Sequence, residues 1–180
     1  MGRMIANFMK GRISTHLLTL ALVLVFAGYG CKVNYSMTGA SISPEVKTIN
    51  VKFFTKTAAL GPPSMGQTFT ELLKQKFINE TSLSVISTAA DLTFEGTISS
   101  YSVAPQAIQS NETAARNRLT VTVNVKFTNL KDEKQNFETT FTRFADFPSS
   151  SVLNSVEDQL ISEINSQLID DIFNKAVINW

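Results

Sequence analysis

Between Leu119 and Thr128 the chain alternates without exception: Leu119, Val121, Val123, Val125 and Phe127 are apolar, and Thr120, Thr122, Asn124, Lys126 and Thr128 are polar. Successive side chains of a β-strand point to opposite faces of its sheet, so this pattern sends every apolar group to one side. A helix of the same sequence would scatter both sets around its circumference. The segment thus requires a sheet with one dry face and one wet face, and something must cover the dry one.

The flanking sequence predicts that cover. Gly61, Pro62 and Pro63 break the chain, and Ser64 with Gln67 has the spacing of a capping box. Phe69, Leu72, Leu73 and Phe77 then recur at helical spacing on one face. Farther on, Pro148 and Ser149 to Ser151 end a strand region, and Asn154 with Glu157 offers a second cap. A helix to about Val177 follows, striped by Leu160, Ile161, Ile164, Leu168, Ile172 and Ala176. It would span roughly 39 Å.

Further strands are expected where Ile49, Val51 and Phe53 alternate with Asn50 and Lys52, and over 83–87, 91–103 and 136–147, with a short one near Tyr35 to Ile42. The phase slips between Ile98 and Tyr101 and between Phe141 and Phe144, which predicts a bulge or bend at each. The order of elements predicts an α+β two-layer sandwich, with two helices packed on one face of a mostly antiparallel or mixed sheet of about four strands.

The amino-terminal region reads differently. Arg3, Lys10 and Arg12 precede an apolar run from Leu17 to Phe26 interrupted by Thr19 alone, too short to span a bilayer comfortably. This is expected to be an export signal over 1–30. Gly28, Tyr29 and Gly30 supply the small-residue edge of a cleavage site, and Cys31, the single cysteine, follows it as in a bacterial lipobox, although Gly28 stands where Leu is usual. Acylation of Cys31 would anchor the chain to a membrane, with 31–47 as a lipidated tether and 48–180 as one domain; a buried thiol or an intermolecular disulfide is the alternative. Three of the 16 basic residues fall in the leader, leaving 13 against 15 acids, a net charge of −2 and no signature of a nucleic-acid binder.

Few catalytic groups remain. The single histidine, His16, lies in the leader, so the body has no imidazole base, no Cys–His pair and no His/Cys metal set. Asp170 and Asp171 are neighbours on a helix and point about 100° apart. Gly61, Gly66 and Gly96 are isolated, so no phosphate loop forms, and the sequons at Asn34, Asn79 and Asn111 carry no meaning in a bacterial chain. Neither catalytic residues, metal nor cofactor are expected. Arg116, Arg118 and Lys126 lie on or beside the polar face of the alternating strand and are candidates for phosphate contacts, although ordinary edge and surface charge is the favoured account of them.

Several stretches together, "TGASISPEVKTINVKFF", "QTFTELLKQKFINETSL", "DLTFEGTISSYSVAPQAIQSNETAARNRLTVTV" and "SVEDQLISEINSQLIDDIFNKAVINW", with the lipobox-like Cys31, resemble the lipopolysaccharide assembly lipoprotein family LptE in its Bacteroidota form. The resemblance covers nearly all of the chain after Cys31. It implies a lipoprotein of the outer membrane's inner leaflet that plugs the large β-barrel LptD, helps it assemble, and takes part in delivering lipopolysaccharide to the outer leaflet. The other classes in view are a secretion-barrel pilotin, a lone lipid carrier, and a hydrolase running on carboxylates.

Overall fold

A computed structural model of the chain describes residues 42–106 and 115–177. Cys31 and most of the strand expected near Tyr35 to Ile42 lie outside the described residues. In chain order the elements are β1 (Thr48–Val51), β2 (Thr55–Lys56), α1 (Met65–Glu80), β3 (Ser84–Val85), β4 (Leu92–Gln106), β5 (Arg116–Asn129), a 3-10 turn (Glu133–Gln135), β6 (Phe137–Pro148) and α2 (Leu153–Val177).

The strands form one mixed six-stranded sheet in the order β3-β1-β4-β5-β6, with β2 also paired to β4. β1 runs parallel to β3 and β4, and β2 parallel to β4, while β4, β5 and β6 are antiparallel neighbours. The expected sandwich is present, with more strands than the pattern suggested. The strand not foreseen is β2, a two-residue piece too short to display a period, and β3 is the two-residue core of the strand expected over 83–87.

Both helices lie on the dry face. Leu119, Val121, Val123, Val125 and Phe127 are fully buried, as are Phe69, Leu73 and Phe77 of α1 and Ile164, Leu168 and Ile172 of α2. Rings fill the space between the layers: Phe77 meets Phe94 at 5.1 Å and Phe173 at 5.0 Å between centroids, and Phe94 meets Phe127 at 4.7 Å. Each large apolar side chain so buried contributes about 1.5–3 kcal/mol relative to exposure. Tyr101 ties β4 to α2 by donating its hydroxyl to Glu157 at 2.5 Å.

The bulge expected in β4 is there: its register with β5 shifts between Ile98 and Ser100, leaving Ser99 as the extra residue. None occurs in β6, whose pairing with β5 runs unbroken from Phe137 opposite Phe127 to Pro148 opposite Arg116. Phe144 is simply on the other face, 46% exposed, and its neighbours Ala145 and Phe147 are buried.

A second irregularity falls where regular alternation was expected. β1 pairs Val51 with Phe94 and β2 pairs Thr55 with Thr97, so this edge carries one residue more than β4 across the gap. The extra residue reverses the facing of the Phe53–Phe54 doublet. Phe53, expected inside, is 62% exposed, and Phe54 is fully buried. α1 satisfies the bend: Thr70 accepts the Phe54 N–H at 3.0 Å and donates to the Gly66 carbonyl at 2.7 Å. A side chain at Gly66 would meet the Phe54 carbonyl, so glycine is what lets helix and bend touch.

The helix starts also differ from expectation. Ser64 has φ −73° and ψ −8° and makes no side-chain cap, because its backbone is already helical rather than extended. α2 begins at Leu153, which puts Asn154 inside the helix rather than before it, and Glu157 serves Tyr101 instead of a cap. Leu72 is 37% exposed, at the rim of its helix's buried stripe.

Candidate functional site

The face of the sheet turned away from both helices is the most distinctive surface. Register places Thr97, Asn124 and Thr140 in one row across β4, β5 and β6, Ser100, Thr122 and Thr142 in the next, and Ser102, Thr120 and Phe144 in a third. The hydroxyls bond among themselves: Thr140 Oγ1 donates to Asn124 Oδ1 at 2.8 Å, and Thr122 and Thr142 share a bond at 3.1 Å. A polar face satisfied in this way can meet water or another polar surface without leaving groups unpaired.

A band of alternating charge crosses one end of this face. Lys52 donates to Glu95 at 2.9 Å, Lys126 lies 3.2 Å from the same carboxylate, and Glu138 stands opposite Lys126 in register. Hydrogen bonds from Lys52 and then Lys126 hold the Glu95 carboxyl below its usual range. Phe53 stands beside this band, and together they bound a shallow open depression of about 450 Å³.

Toward the other end, Arg118 donates through Nε and Nη2 to Asp146 at 2.7 and 2.8 Å. Its guanidinium lies 3.6 Å from the centroid of the Phe144 ring. The bond to Asp146 raises the Arg118 pKa, and the same bond lowers that of Asp146, with a smaller contribution from Arg116. Arg116 itself is exposed, in register with Gln106 and Pro148.

The three candidate cations therefore share a face but form no cluster. Arg118 and Lys126 are eight positions apart along β5, about 27 Å. Each is already engaged by a carboxylate, and Arg116 is the candidate free of such a direct pair among the described residues. Asp170 and Asp171 diverge: Lys76 of α1 takes the first at 2.7 Å and Arg143 of β6 the second at 2.5 Å. Phe53 and Phe144 were not singled out as surface features from sequence. For Phe144 the signal was its parity, even where Phe137 and Phe141 are odd; for Phe53 the doublet hides which ring turns out.

Comparison with known proteins agrees with this architecture. The family model described as "LptE: Lipopolysaccharide-assembly" matches residues 46–176. Among solved structures, a hypothetical protein from Chlamydia trachomatis aligns with TM-score 0.51 at 9% identity, covering 74% of this chain and 99% of that one. Lipoprotein B from Nitrosomonas europaea aligns with TM-score 0.48 at 13% identity over 80% and 88%, and a minor lipoprotein from Acinetobacter baumannii with 0.47 at 13% over 72% and 91%. Of these, the likeness with a TM-score of 0.51 bears on the fold and on nothing beyond it. No curated protein matches the sequence. The family match runs from the residue pair before β1 to the last turn of α2, and on it the chain belongs to the LptE family of lipopolysaccharide-assembly proteins.

Proposed function

We propose that this chain is a non-catalytic outer-membrane lipoprotein, anchored by acyl chains on Cys31, that plugs and helps assemble an LptD-like β-barrel and takes part in moving lipopolysaccharide to the outer leaflet. Family membership supports the pathway. The observation that carries the plug is the uncovered hydroxyl face of β4, β5 and β6, whose groups bond to each other. The lumen of a membrane barrel is polar, and a face of hydroxyls and amides, several of them paired with each other, suits such a space.

A lone lipid carrier has less support. Such a protein needs an internal apolar cavity of roughly 300–1,000 Å³, whereas here Phe54, Phe69, Phe77, Phe94 and Phe127 occupy the interior. Photo-crosslinking tests the plug. A crosslinking residue at Thr142, on the hydroxyl face, should capture a large β-barrel in intact cells. Capture of a different secretion barrel there would favour a pilotin, and capture of no barrel would count against the plug.

A further inference from the structure

The depression beside Phe53 has a chemistry distinct from the phosphate contacts that cations on this face first suggest. Its cations are already matched: Lys52 and Lys126 converge on Glu95 at 2.9 and 3.2 Å, and Glu138 faces Lys126 from the next strand. Two ammonium groups and two carboxylates sum to no net charge, so an entering anion would have to break an existing pair. Between the charges the surface offers neutral hydrogen-bonding groups. Thr97 and Asn124 are opposite one another in register, and Thr140 takes up the Asn124 amide oxygen, so the amide nitrogen is the donor Asn124 presents.

One wall is an aromatic ring. Phe53 is 62% exposed although it sits in a chain that buries its neighbour Phe54 completely, and the extra residue between β1 and β2 is what turns it outward. The face of such a ring carries negative quadrupole charge and attracts weakly positive C–H groups. A depression of about 450 Å³ that combines an aromatic wall, neutral donors and acceptors, and balanced charge suits a molecule with one C–H face and many hydroxyls. We infer that the depression formed by Phe53, Thr97, Asn124 and the Lys52–Glu95–Lys126 bridge is a binding site for an uncharged sugar unit of a glycan chain. The inference does not depend on the barrel, since the site lies wholly within this chain.

The test is an NMR titration of the full-length, isotope-labelled protein in mild detergent. The probes are lipid-free polysaccharide released from lipopolysaccharide by mild acid, and dextran as a neutral glycan of different origin. Shifts concentrated at Lys52 to Thr97 and Asn124 to Lys126 are expected, unchanged when salt rises from about 0.05 M to about 0.5 M. Phe53→Ala should weaken binding roughly three- to tenfold, the value of a lost ring contact. Because Phe53 is exposed, this variant should keep the wild-type melting temperature. Shifts with both probes identify a general glycan site, and shifts with the first alone identify the sugar portion of lipopolysaccharide. The inference is overturned if neither probe shifts these resonances at millimolar concentration, or if binding disappears at high salt and survives Phe53→Ala.

Discussion

The ring of Phe54 lies where a side chain on Gly96 would have to go: a methyl group at Gly96 would stand 2.6 Å from the ring and 2.2 Å from the Asn124 carbonyl oxygen. Moving the ring would relieve one contact only, since the carbonyl belongs to the backbone of β5. Gly96→Ala should therefore cost about 1–3 kcal/mol, as overpacking does. A chemical denaturation midpoint equal to that of the wild type would show that the β4–β5 ladder yields more easily than this contact implies.

Asn165 is 1% exposed on α2, and neither atom of its side-chain amide finds a partner among the described residues. Burying an unpaired amide costs roughly 1–3 kcal/mol. Asn165→Leu, which keeps the branched shape and number of side-chain heavy atoms while removing the polar ones, should raise the melting temperature by several degrees, since about 1 kcal/mol corresponds to roughly 2–4 °C in a domain of this size. A lowered melting temperature would mean that the amide serves a purpose in the native state.

Asp91 holds the start of β1. Its carboxylate accepts the Lys47 N–H at 2.9 Å, the Thr48 N–H at 3.0 Å and the Thr48 hydroxyl at 2.9 Å, and Lys131 lies 3.2 Å away. These donors, the Lys47 N–H foremost, hold its pKa well below the usual carboxylate range. A group with a depressed native pKa adds stability that is complete above the unfolded value of about 3.9 and is lost as pH falls below it toward the native value. Thermal melts should show the wild type losing its advantage over Asp91→Asn on acidification below about pH 4. A gap between the two that stays constant with pH would refute this role for the carboxylate.

Arg116 and Arg118 should behave differently despite lying two residues apart. Arg118→Glu sets a carboxylate opposite Asp146 in register and removes the stack on Phe144, so it should lower the melting temperature. Arg116→Glu should leave stability unchanged, because Arg116 is exposed and has no direct carboxylate partner among the described residues. The proposed contact between these cations and lipopolysaccharide phosphates is thus best tested with Arg116→Glu. Equal melting temperatures for the two variants would show that the Arg118–Asp146 bond carries no stability.

The strongest periodic signals translated directly into structure. Leu119 to Phe127 became the buried face of β5, and the stripe from Leu160 to Ile172 became the buried side of α2. What sequence could not resolve was parity at defects. Phe53 and Phe54 are chemically identical, and which one turns inward depends on the register β1 and β2 adopt along β4. Likewise the slip at Phe144 has the same appearance as the slip before Tyr101, yet only the latter is a bulge. The polar face was legible as a face, but its charge pairs join residues distant in sequence, so Glu95 and Asp146 could not be assigned to Lys126 and Arg118 beforehand.

The chain is proposed to work inside a barrel rather than alone. Affinity purification of the tagged full-length protein from its native outer membrane in mild detergent, followed by identification and quantification of what co-purifies, tests it most directly. A large LptD-like β-barrel should be recovered at one copy per copy of this chain. Recovery of the protein without a stoichiometric barrel partner would contradict it.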